Sequence, residues 1–127
     1  MIKAIRRVTI GSSDLTGALS FFAGTLNLPL VREVALRGHP TSWDMGFSPS
    51  GPSLAVSEAK VGQPGLSPGE VLVEFETDDI EGDYQALQSK GLVFTTPPTV
   101  EEWEGVVAYF RGPDGVKLGL VQPRRSE

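Results

Sequence analysis

The chain has 127 residues, a net charge of −5 and no cysteine. Its balance of 39% hydrophobic and 21% charged residues suits one compact domain with a real core. The missing cysteines exclude disulfides, thiolate metal sites and cysteine nucleophiles. The scattered basic residues lack the stripe that phosphate binding requires, so no nucleic-acid partner is expected. No long apolar run predicts a membrane span. The start enters a strand pattern directly, so the expected location is cytoplasmic.

Ile5 to Ile10 alternate and predict a first strand. Asp14 has the chemistry of a helix N-cap, and Leu15, Ala18, Leu19 and Phe22 form one apolar helical stripe. Asn27 tolerates the left-handed conformation that ends a helix. Strands are expected near 30–36, 42–47 and 53–57, the last two separated by the turn-forming run Ser48 to Pro52. Gly62, Pro64, Gly65, Pro68 and Gly69 mark a linker. Val71 to Glu76 then predicts a strand and Asp79 a second N-cap. Ile80, Tyr84 and Leu87 supply the next helical stripe, with Gly91 as its stop. Strands near 93–96, 106–111 and 116–122 follow, and Gly112-Pro113-Asp114-Gly115 forms the turn between the last two.

The order is therefore βαβββ, linker, βαβββ, and the two copies are in register. Val8, Asp14 and Gly17 recur 65 residues later as Val73, Asp79 and Gly82. The two repeats span about 4–58 and 70–122 of a single domain. A duplicated unit of this kind encloses a surface between its halves, where function is expected.

Val8-Thr9-Ile10, Ser13-Asp14-Leu15, Phe21-Phe22, Leu26-Asn27-Leu28, Phe75 to Ile80 and Tyr109 to Gly115 together resemble the vicinal oxygen chelate superfamily. This group includes glyoxalase I, extradiol dioxygenases and bleomycin-resistance proteins. The resemblance implies an α+β fold: paired βαβββ modules forming a curled mixed sheet with an open cup, commonly as a homodimer. It also implies a divalent metal held by four inward positions. Here these map to Arg7, Leu54, Leu72 and Gly119, none of which can ligate a cation. The single histidine, His39, lies in an expected hairpin loop. No metal or other cofactor is therefore expected.

Strand parity places Arg7, Thr9, Leu54, Val56, Leu72, Glu74, Lys117, Gly119 and Val121 on the cup side, and the resemblance adds Tyr109. The candidate ligand-binding residues are Arg7, Thr9, Trp43, Glu74, Trp103, Tyr109 and Lys117. Each also has a plain structural reading. Arg7 and Glu74 can pair to neutralise each other, Trp103 can lid a core, and the facing of Trp43 is open. No catalytic residue is assigned. The expected function is metal-independent binding of a small organic ligand, as in bleomycin-resistance proteins. The alternative is a divergent lyase, isomerase or oxygenase, with Glu74 and Tyr109 supplying acid–base chemistry.

Overall fold

The computed structural model describes residues 1–36, 39–46, 51–59, 66–101 and 105–124. Close contacts divide the chain into two compact units, Arg7–Val71 and Leu72–Glu127, with Met1–Arg6 belonging to the second.

In the first unit, strand β1 (Ile2–Ser12) leads into helix α1 (Leu15–Leu19). Strands β2 (Leu30–Leu36), β3 (His39–Met45) and β4 (Ser53–Glu58) complete the module. The strand order is β2-β3-β4-β1, with β1 parallel to β4 and the other pairs antiparallel. His39, expected in a loop, instead opens β3 opposite Leu36. Helix α1 packs on β4 and β3. It continues as a π-helix over Ser20–Thr25, where the Leu26 N–H reaches the carbonyl of Phe21 at 2.9 Å. The helical stripe read from sequence did not distinguish the wider turn, because the two geometries share their first apolar positions. Asn27 ends the segment at φ 60°, as a left-handed stop should.

In the second unit, β5 (Val71–Thr77) is followed by α2 (Ile80–Ser89), β6 (Phe94–Glu101), β7 (Gly105–Arg111) and β8 (Lys117–Pro123). Their order is β5-β8-β7-β6, with β5 parallel to β8. Strand β6 runs longer than its expected span and contains Pro97 and Pro98. Its edge position tolerates residues that cannot donate to a ladder. Beneath α2, Ile80, Ala108, Phe110 and Leu120 form a buried cluster flanked by Phe75, Leu87, Leu92, Phe94, Val106 and Leu118. Tyr84 meets Phe94 edge-on and Phe94 meets Phe110 at a tilt, with ring centroids 4.7 and 5.2 Å apart. The tight turn before β8 is a 3-10 segment at Pro113–Gly115, with Asp114 at φ 60° and Gly115 at φ 79°.

The duplication is visible at atomic detail in the two helix starts. Asp14 Oδ1 accepts from the Gly17 N–H at 2.9 Å, and Asp79 Oδ1 accepts from the Gly82 N–H at 3.0 Å. One turn earlier, the Ser12 hydroxyl accepts from the Asp14 N–H and the Thr77 hydroxyl from the Asp79 N–H, both at 3.1 Å. A Cβ on Gly17 or Gly82 would stand 2.2 or 2.3 Å from the capping carboxylate. The glycine of each Asp-x-x-Gly repeat thus makes room for its own cap.

Two contacts fix the ends of these modules. Leu66 and Ser67 lie against Gly11, where a Cβ would meet the Ser67 carbonyl at 2.5 Å. The Gly11 N–H donates to the Glu70 carbonyl, and the Gly69 N–H to the Gly11 carbonyl. In the second unit the Met1 ammonium lies 3.0 Å from Asp78 and 3.1 Å from Asp83. The ammonium holds the Asp78 carboxyl below its usual range, chiefly by hydrogen bonding, and is itself raised by the two carboxylates.

Candidate functional site

In the first unit, the register β1–β4–β3 sorts side chains onto two faces. Thr9 pairs with Ala55, which pairs with Asp44, so these three lie in one row. Arg7, two residues before Thr9 and opposite Ser53, shares that face. Arg7, Thr9 and Asp44 are all buried. The Arg7 guanidinium reaches over β4 to Asp44, with Nη1 3.6 Å from Oδ2 and both side chains about nineteen-twentieths buried. Small side chains at Ser53 and Ala55 leave the path open. Sequence reading missed Asp44. Only strand register could reveal that it faces Arg7, since the two residues lie on strands that are not neighbours.

Two expected site positions change face. Val8 pairs with Leu54, and Ile10 with Val56 and through it Trp43. Leu54, Val56 and Trp43 therefore lie on the Val8–Ile10 face, opposite Arg7 and Thr9. The cause is a single residue. Thr9 pairs with Ala55 whereas its repeat partner Glu74 pairs with Gly119, so the 65-residue offset fails by one at the module's last strand. A one-residue slip moves a strand's whole side-chain set to the other face. Ala55, rather than Leu54, is the counterpart of Gly119. Trp43 occupies the face whose counterpart in the second unit, carrying Phe75 and Leu120, lies under the helix.

In the second unit, Glu74, Gly119 and Tyr109 form one row across β5, β8 and β7. Leu72, Lys117 and Arg111 form the adjacent row on the same face. Glu74 is 4% exposed, while Tyr109 and Lys117 are half-buried. A Cβ on Gly119 would stand 2.9 Å from Cδ1 and 3.0 Å from Cε1 of Tyr109. The tyrosine ring thus leans across β8 over the glycine. Trp103, a candidate ligand-binding residue, lies outside the described residues.

A divalent ion does not fit these positions. Arginine is a permanent cation, and leucine, alanine and glycine have no donor atoms. The place a side chain at 119 would take is filled by the Tyr109 ring. Among the described residues, no group of three or more His, Asp or Glu side chains is arranged to hold a metal.

A family model described as the glyoxalase/bleomycin resistance protein/dioxygenase superfamily matches residues 4–120. The chain belongs to this superfamily. Its α+β fold, two βαβββ modules, is glyoxalase-like. An uncharacterized protein of Shewanella frigidimarina is 23% identical over 129 residues, spanning 96% of this chain and 95% of that protein. Among solved structures, a hypothetical protein from Bacillus halodurans matches with TM-score 0.78 at 15% identity, covering 97% of this chain and 96% of that one. Methylmalonyl-CoA epimerase from Mycobacterium tuberculosis matches with TM-score 0.76 at 18% identity, covering 98% and 90%. The Streptomyces coelicolor methylmalonyl-CoA epimerase, in complex with 2-nitronate-propionyl-CoA, matches at 0.73 and 17%, covering 98% and 100%. At these identities the likeness shows the superfamily fold. No helix among the described residues is long and apolar enough to cross a membrane.

Proposed function

We propose that this superfamily member binds a small carbonyl compound, of the acyl-thioester class, on the Glu74–Tyr109–Lys117 face and moves a proton on it. The observation that carries the reading is the row Glu74–Gly119–Tyr109. It sets a buried carboxylate and a phenol two strand spacings apart, about 10 Å between backbones, with no side chain on the residue between them. Glu74 is the base for a proton on the carbon beside the carbonyl. The Tyr109 hydroxyl donates to the carbonyl oxygen as it gains negative charge, and the Lys117 ammonium in the next row adds a compensating positive charge. Isomerisation or a lyase step follows from the same carbanionic species. The fold likeness to methylmalonyl-CoA epimerases supports this class over pure sequestration.

The test is deuterium uptake. The protein is incubated in D₂O with methylmalonyl-CoA and a panel of 2-substituted acyl-CoA esters and 2-oxo acids. Incorporation at the carbon beside the carbonyl is expected, with Glu74→Gln slowing it roughly 10²-fold or more. Absence of exchange from every compound overturns the reading.

A second reading, a binding protein of the bleomycin-resistance kind, is favoured by one specific observation: the four metal positions hold no ligand. It predicts a compound that binds tightly, is released unchanged and keeps its affinity in Glu74→Gln. The homodimer expected for this family belongs to either reading, and is checked by sedimentation of the purified protein.

A further inference from the structure

We infer that Arg7, at the position where the resemblance puts the first metal ligand, is a cation built into the chain and held by Asp44, in place of a group that would recruit an ion. The inference does not rest on the proton-transfer reading. The residue before Val8-Thr9-Ile10 is where the resemblance puts the first metal ligand, and here it is a buried guanidinium. Its partner is on the same face but two strands away, reached at 3.6 Å over β4. That reach depends on the small side chains of Ser53 and Ala55, so four residues on three strands suit one another.

Two physical consequences follow. Asp44, a carboxylate buried among these strands, needs a cation beside it, and Arg7 supplies one without any ion from solvent. A divalent ion entering the same region would meet the like charge of Arg7 in a poorly screened environment, which opposes its binding in addition to the missing donors. The second unit is closed by different means, since the Tyr109 ring lies where a side chain at 119 would project. The chain has therefore not simply lost ligands; other groups occupy the space and supply the charge.

The test uses the full chain, with thermal melting and isothermal titration calorimetry as readouts. Wild-type protein should melt at the same temperature in EDTA and in millimolar Mn²⁺, Co²⁺, Ni²⁺ or Zn²⁺, with no binding heat. Arg7→Met should lower the melting temperature by on the order of 10 °C. Arg7→Leu or Asp44→Leu alone should each be costly, while the Arg7→Leu/Asp44→Leu double variant should lose clearly less than the two added together. Arg7→Lys, which keeps the charge but not the fork, should fall between wild type and Arg7→Met. An ion-dependent rise in the wild-type melting temperature, or strict additivity in the cycle, overturns the inference. If the Arg7→Leu, Asp44→Leu and Arg7→Met variants do not fold, the metal titration of wild type and the melting temperature of Arg7→Lys against wild type still decide it. These readouts are separate from deuterium uptake, so failure of either hypothesis leaves the other intact.

Discussion

The ring of Tyr109 lies over Gly119, with Cδ1 2.9 Å and Cε1 3.0 Å from where a Cβ at 119 would stand. Glycine is required here by crowding from the side, since the residue sits in mid-strand without positive φ. Gly119→Ala should therefore push the ring aside and destabilise the protein by about 1–3 kcal/mol. In the background of Tyr109→Ala the same substitution should be nearly neutral. Urea unfolding of the four proteins of this cycle measures the difference, and equal costs in both backgrounds would refute the packing argument.

The capping carboxylates allow a sharper test. Asp79→Ala should cost about 1 kcal/mol by freeing the helix-start N–H groups. Gly82→Ala gains about 1 kcal/mol of helix propensity but forces the Asp79 carboxylate away, so its net effect should be close to zero. Combined with Asp79→Ala, where no cap remains to lose, Gly82→Ala should stabilise by close to the full propensity gain. Chemical denaturation would expose the sign change, and the Asp14/Gly17 pair should repeat it.

Leu120 is fully buried in the cluster under α2. Leu120→Ala should cost about 2–5 kcal/mol, the usual range for a core leucine. Val93→Ala, at a residue 79% exposed, should leave unfolding within about 0.5 kcal/mol of wild type.

The Met1–Asp78 contact predicts two opposite pH dependences. Asp78 is lowered in the folded chain, so its contribution is present above the ordinary carboxylate range, and is lost as pH falls through the lowered value. The Met1 ammonium is raised, so its contribution is full below the ordinary amine value near 8, and is lost as pH rises through the raised one. NMR titration should find the Asp78 carboxyl below the values of exposed aspartates. Asp78→Asn should move the Met1 amine back toward its ordinary value. Both groups are exposed, so the effect on global stability should be small.

Much of this architecture was legible in the residues. The Asp-x-x-Gly repeat marked both helix starts because capping is a local affair, settled by a side chain and the next three N–H groups. The Gly-Pro-Asp-Gly turn and the Asn27 stop were readable for the same reason. Strand parity also placed Lys117, Gly119 and Glu74 on one face, because β5 and β8 keep the offset that the sequence suggested. It failed for Leu54 and Val56, where one residue fewer separates the paired strands of the second module than of the first, and it had left the facing of Trp43 open. The slip shows only when the strands are paired, which puts Ser53 and Ala55 beside Arg7, Thr9 and Asp44 and puts Leu54 and Val56 beside Val8, Ile10 and Trp43.

The sequence by itself determined the paired βαβββ plan and carried the resemblance to the superfamily. Both depend on residues and motifs that can be read along the chain. Only the tertiary structure decided that Arg7 is held by Asp44 and that Tyr109 covers Gly119. Both relationships cross strands, so they depend on which residues stand opposite one another. Register is set by the packing of whole faces, and a shift of a single residue reverses what each face presents.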